Sequence, residues 1–265
     1  MSAPPPVSIP SQRSGGSALK IIILIVVLLL IIGGVAWFFF FRSSTPSPTT
    51  TPEPTEITTE TPTTTPEPPS LEENLAPIEP LGFTAGSNGV SALSTALNSQ
   101  TVSTGQLRTF GITDQATPPV AYTWSTFSTA MGFHPPAELN QAIDPQAPVY
   151  ISLFGKSDGT TGRGFIAKVS NPGLGQTGIQ RWETNESDDL KNLFILNLSK
   201  AFTPGFNDNT YNGVAIRFRN FPESIQTIDY ALITAPNGET YAVFTNSKDH
   251  IFVLIDAILS QTKGK

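Results

Sequence analysis

Three short motifs in this sequence have residue types at spacings that chemistry uses. Gly155-Lys-Ser157-Asp-Gly159 fits G-x-S-x-G, the elbow that exposes a serine nucleophile on a sharp strand-to-helix turn. Gly173-Leu-Gly175-Gln-Thr-Gly178 fits G-x-G-x-x-G, whose glycines let backbone amides approach a dinucleotide's pyrophosphate. In the run from Asn207 to Gly213, Asp208 and Gly213 take the first and sixth places of a calcium loop.

Each motif fails in its context. The element after Ser157 reads as a returning strand, so the serine belongs to a hairpin loop. The only later histidine, His250, falls in the first turn of a terminal helix. Lys156 and Ser157 do not complete a P-loop either, because Tyr150 stands where that motif needs its first glycine. Past Gly178 there is no second parallel strand ending in an acid. The glycines are expected to form a close-packed helix entrance that brings backbone near the sheet. The twelfth place of the calcium pattern is Arg219, where a bidentate glutamate belongs, so a structural turn is expected there.

The remaining chemical residues are sparse. His134 and His250 are the only histidines and there is no cysteine, so no zinc-ligand spacing exists. Glu186, Asp188 and Asp189 read as a solvated loop with at most loose cation binding. Arg217 and Arg219 could capture an anionic wall polymer, though cross-strand pairing with Asp229 is the simpler expectation. No catalytic, cofactor-binding or metal-ligating residue is assigned and no cofactor is expected. The ligand-binding residues stay unknown.

The elements that would position such groups are legible in three unlike regions. Residues 21–41 are an unbroken apolar run, and a helix of that length spans about 32 Å, enough for a bilayer core of about 30 Å. Lys20 and Arg42 bracket it, and Trp37 lies near one interface. Arg13 and Lys20 precede the run and only Arg42 follows closely. This basic excess places residues 1–20 in the cytoplasm as a short disordered tail. The run is too long, and too aromatic at its end, for a cleaved signal peptide, so an uncleaved signal anchor is expected. Residues 42–80 form a stalk. Its part from 43 to 70 holds eleven Thr, eight Pro, four Ser, four Glu and one apolar residue, Ile57. Such a stretch cannot bury enough surface to order itself, and its prolines favour extended polyproline II.

Residues 81–265 are the packed domain, with a possible subdivision near 145. Helices are expected at 91–97, 123–131 and 137–143, and from Pro172 through Trp182 and Glu183. A strand is expected at 106–112 and a hairpin from 149–154 and 164–169. Val214, Ile216 and Phe218 share one strand face, and Ile228, Tyr230 and Leu232 repeat the alternation with Asp229 opposite. Asn237-Gly238 predicts a type I′ turn into 240–245. Ser247 then caps a helix whose Ile251, Leu254, Ile255, Ile258 and Leu259 close over the sheet. The fold class is therefore a single transmembrane helix plus an α+β ectodomain, a mainly antiparallel sheet with helices packed on it.

A net charge of −6 with 14% charged residues argues against a nucleic-acid partner. Absence of cysteine from an exported domain favours a bacterial envelope. The plan resembles uncharacterised single-pass bacterial envelope proteins with a Pro/Thr-rich stalk and a small α+β ectodomain. The likeness rests on that plan and on the stretch from Asn209 through Pro222 to Asp249. It implies location and architecture, with no activity. The expected function is a non-catalytic extracytoplasmic binding or structural module. It would be held in the bilayer by residues 21–41 and partnered by an envelope protein or wall polymer. The alternative is an anchored envelope hydrolase acting on wall polymer or peptide.

Overall fold

The computed structural model describes residues 70–75, 77–86, 88–198, 205–222 and 226–260. The tail, the apolar run at 21–41 and the stalk up to residue 69 lie outside them. Among the described residues no helix is long and apolar enough to cross a membrane. All of them belong to one compact unit, residues 64–265.

That unit is built on one eight-stranded sheet, with helices on both faces. In chain order the elements are α1 (Leu71–Asn74), β1 (Ile78–Gly82), α2 (Gly89–Asn98), β2 (Leu107–Thr113), α3 (Trp124–Met131), α4 (Ala137–Ala142), β3 (Tyr150–Gly155) and β4 (Thr161–Val169). Then come α5 (Pro172–Trp182), α6 (Glu186–Phe194), β5 (Asn207–Tyr211), β6 (Val214–Asn220), β7 (Thr227–Thr234), β8 (Thr240–Thr245) and α7 (Lys248–Leu259). The strand order is β1-β2-β3-β4-β8-β7-β6-β5. Of these seven strand pairs β1 and β2 run parallel, and the other six are antiparallel. The domain is thus α+β with a mainly antiparallel sheet.

Period-two alternation divides the strands between two cores. On β4, Phe165 and Ala167 face one core and Ile166 the other; on β8, Phe244 opposes Tyr241 and Val243. Helices α2 to α6 cover the first face with a run of aromatic rings. Phe165 stacks on Phe244 at 4.7 Å, and Trp124 meets Trp182 edge-on at 6.1 Å. The second face is closed by α7, whose Ile251, Leu254, Ile255 and Ile258 are fully buried, with Leu71 and Leu75 beside them. The central strands have no solvent face, which is why β3 and β8 read as continuous apolar runs.

The packed unit begins upstream of position 81. Ser70 and Glu73 form a reciprocal capping box on α1, and β1 pairs with β2 from Ile78 onward. Pro80 sits in that strand without penalty because β1 is an edge, where one side of the backbone needs no partner. Position 145 lies between β2 and β3, which pair as neighbours within the one sheet.

The expected type I′ turn at Asn237-Gly238 is corrected. Gly238 has φ +84° while Asn237 keeps a negative φ, and Gly238 N–H donates to Ala235 O at 2.9 Å. The central pair is therefore Pro236-Asn237, followed by a left-handed glycine, the three-residue hairpin loop. Proline at the first central position enforces this shift of one residue. A two-residue loop with both φ positive occurs instead at Asn212-Gly213, between β5 and β6.

Candidate functional site

One concavity lies between the end of β1, the start of α2 and the length of α3. Gly89 lets these helices meet: a Cβ there would stand 2.2 Å from the Ala130 carbonyl oxygen. Asn88 caps α2 by accepting from Ser91 N–H at 3.0 Å. Phe83 and Tyr122 stack at 4.6 Å and fix the loops beneath. The resulting groove has a volume of about 630 Å³, and its polar lining comes from Asn88, Tyr122, Ser125, Thr126, Thr129 and Asn192. A second hollow of about 630 Å³ shares Ala85 and Asn88 with it and adds Thr84, Ser91, Thr95 and Gln115. Among the described lining residues of both hollows there is no Asp, Glu, His, Lys or Arg. Burial pushes the Tyr122 phenol further up from its ordinary range. The groove thus presents hydroxyls and amides that donate and accept hydrogen bonds without changing charge.

A cavity of different character sits on the opposite face, between β5, β6, β7 and the start of α7. It measures about 370 Å³ and is lined by Asn209, Phe218, Asn220, Thr227, Asp229 and Lys248, with Asp208 at its edge strand. Asp229 is only 3% exposed and accepts a hydrogen bond from the Thr227 hydroxyl. Burial raises its carboxyl from the ordinary carboxylate range to about 7.

Most residues singled out in the sequence have structural duties. Ser157 lies in the β3–β4 hairpin loop, as expected. His250 is fully buried, its ring stacks on Phe154, and neither nitrogen has a hydrogen-bond partner among the described residues. The glycines of the 173–178 motif fall inside α5. A Cβ on Gly178 would lie 2.4 Å from Leu139 N, so the close approach is chiefly to α4; Gly175 meets Val169 of the sheet. Asp208 and Gly213 belong to the β5–β6 hairpin. Among the described residues no group of three or more acids or histidines is placed to hold a metal ion.

Two expectations are overturned. The segment of Glu186, Asp188 and Asp189 is the first turn of α6 rather than a solvated loop. Glu186 is fully buried there and its carboxyl is raised well above its ordinary range by burial, then by the charge of Glu183. Nor do Arg217 and Arg219 pair with Asp229. They point to the face covered by α5 and α6, where Arg217 makes a two-bond contact of 2.7 Å with Glu183 and a bond of 2.9 Å to Asp208. Arg219 donates to Ser187 Oγ at 3.1 Å, while Asp229, opposite Phe218, points to the α7 face. Glu183 follows α5 directly, so only tertiary folding brings it to Arg217.

The structure also makes a pair that residue spacing does not foreshadow. His134 Nδ1 lies 3.0 Å from Asp189 Oδ1, and Asp189 Oδ2 accepts from the His134 backbone N–H and from Trp182 Nε1. Asp189 is almost buried while the imidazole is 79% exposed. Arg163 is the other unforeseen group. Its buried guanidinium donates to Ser94 Oγ in the middle of α2, to Asn98 Oδ1 at the end of α2 and to Leu193 O in the last turn of α6. Burial lowers the Arg163 pKa from its ordinary value, and these hydrogen bonds are what hold the guanidinium inside the fold.

Compared with family models, with curated proteins and with solved structures, the chain matches none.

Proposed function

We propose that the protein is a membrane-anchored, extracytoplasmic binding module that holds a neutral, hydroxyl-rich component of a bacterial envelope, such as wall glycan, in the groove between α2 and α3. The observation that carries this reading is the uncharged lining of that groove. Side chains that exchange hydrogen bonds but do not titrate suit recognition of sugar hydroxyls and amides. Two supports come from the sequence: the apolar run at 21–41, which in this reading is the anchor, and the Thr/Pro-rich stalk that sets the domain off from it. The resemblance to single-pass envelope proteins points the same way.

Titration of the full chain in detergent micelles with soluble N-acetylglucosamine oligomers tests the groove. Amide resonances of Asn88, Ser125 and Thr129 should move, and Thr129→Leu should weaken binding at least tenfold. Shifts confined to other surfaces would overturn the assignment. For topology, protease added to intact spheroplasts should remove residues 81–265.

A second reading, an anchored envelope hydrolase, draws on the His134–Asp189 pair. A carboxylate that fixes an exposed imidazole leaves its Nε2 free to act as a base. Hydrolysis of wall fragments that is lost in His134→Gln would favour it over pure binding.

A further inference from the structure

The cavity beside Asp229 lies on the other side of the sheet from the groove and has its own chemistry. We propose that it binds a small α-amino acid as a zwitterion, with the ammonium on Asp229 and the carboxylate on Lys248.

The argument begins with a misfit. A buried carboxylate ordinarily has a cationic partner or several N–H donors. Asp229 is 3% exposed, yet among the described residues its hydrogen-bond partner is the Thr227 hydroxyl alone, and the nearby charge of Lys248 acts on it without an ion-pair contact. Arg217 and Arg219, on the adjacent strand, turn away to the opposite face. Asp229 nonetheless lines a cavity, together with the amides of Asn209 and Asn220. A carboxylate, a hydroxyl and two amide oxygens provide the acceptors that the three N–H donors of a primary ammonium need.

Lys248 is the second misfit. It occupies the first turn of the 12-residue helix α7, where the helix dipole disfavours a cation. Its ammonium is steadied over the Phe252 ring, 5.4 Å from the centroid, and makes no ion pair among the described residues. Lysine charge and helix N-terminus together attract an anion. The same cavity thus offers a negative group at buried depth and a positive one at its exposed side, which matches a molecule carrying both charges. Phe218 supplies an apolar wall for the α-carbon and a short side chain. At about 370 Å³ the volume lies at the lower end of ordinary ligand pockets, which limits the side chain to a few atoms. Two other classes fit worse: Asp229 repels a simple anion, and Lys248 repels a metal cation.

Burial holds Asp229 near 7, and Lys248, Asp249 and Asp208 are the other charged groups around it. An ammonium brought against the carboxylate favours its ionised form. Alanine should therefore bind more tightly at pH 8 than at pH 6, and binding at pH 6 should release a proton.

The test is a titration of the full chain with alanine, N-acetylalanine and alanine methyl ester, followed through the amide resonances of Thr227, Asp229 and Lys248. Alanine should shift all three. N-acetylalanine, which lacks the ammonium, and the ester, which lacks the carboxylate, should each bind at least tenfold more weakly. Asp229→Asn should lose alanine binding with an unchanged circular dichroism spectrum, and Lys248→Met should reduce alanine to the level of the ester. Equal binding of either blocked compound overturns the proposal, as does undiminished binding by Asp229→Asn or no shift with alanine at 10 mM, on the order of the weakest specific affinities. Thr129→Leu in the groove should leave alanine binding intact, so failure of the groove reading and failure of this one are distinguishable.

Discussion

Replacing His250 with phenylalanine should make the protein more resistant to acid, by an amount that follows from where the imidazole sits. The ring is fully buried against Phe154, and a Cβ on Gly162 would lie 3.2 Å from its Nδ1, so there is little space for water to solvate a charge. Burial, aided by the charge of Lys156, lowers the His250 pKa from 6.5 to about 3. In the unfolded chain the imidazole takes up a proton as pH falls through 6.5, while the folded chain refuses it until about 3. The unfolded state therefore binds more protons across that window, and stability falls as pH falls. At 1.36 kcal/mol per pH unit the full displacement corresponds to about 5 kcal/mol, of which roughly 2.7 kcal/mol is expressed at pH 4.5. Asp229 acts in the opposite sense. Its pKa is raised to about 7, so its contribution is present at low pH and lost as pH rises through 7. The wild-type curve alone mixes the two, and the difference between wild type and His250→Phe isolates the histidine. Urea unfolding of the full chain, read by tryptophan fluorescence, should give the two proteins stabilities within about 1 kcal/mol at pH 7.5, since two unpartnered nitrogens are exchanged for apolar atoms of similar shape. At pH 4.5 the variant should be ahead by about 3 kcal/mol. A difference that does not change between the two pH values would refute the reasoning, because His250 would then be taking its proton inside the fold.

Four further substitutions probe the framework. Gly178→Ala places a methyl group 2.4 Å from Leu139 N and should lower stability by about 1–3 kcal/mol, whereas Gly173→Ala, whose nearest neighbour is Asn171 Oδ1 at 3.8 Å, should be neutral or better. Equal urea midpoints for the two would show that the glycines do not serve helix packing. Arg163→Met strips the ends of α2 and α6 of a shared donor and should cost roughly 2–4 kcal/mol in the same assay; a cost below 1 kcal/mol would mean that water replaces it freely. Leu71→Ala should free α1, and amide exchange in β1 should quicken at least tenfold while exchange in β8 stays unchanged.

Strongly periodic elements were legible in the sequence, and those defined by tertiary context were not. Helix α7 announces itself by apolar residues at helical spacing behind the Ser247 cap, and α3 ends at Gly132, which adopts φ +67°. By contrast, β1 contains Glu79 and Pro80, and only its place at the parallel edge makes them acceptable. Helix α6 opens with Glu-Ser-Asp-Asp, which has the composition of a loop. Its first residue is nevertheless a buried acid, a combination residue type argues against. Alternation correctly separates Asp229 from Ile228 and Tyr230, but it cannot say that Arg217 looks to Glu183 on another layer. The groove is illegible for a different reason. Serine, threonine and asparagine are common on any surface, and only the crossing of α2 and α3 at Gly89 gathers them.

The short path from Ser70 to Gly86 has a mechanical consequence. Helix α1 leads into β1, and the residues that follow β1, Phe83 to Gly86, border the two hollows of the groove. Under the proposed function, a polymer held in the groove and an anchor upstream of residue 70 would pull on opposite ends of this one segment. Tension would peel α1 first, breaking the Tyr150–Glu72 bond, and then load the β1–β2 ladder along its length, in shear. The other six strands lie off that line. Rupture strength under load would then be set by one edge strand five residues long, largely independent of the aromatic core that governs thermal stability.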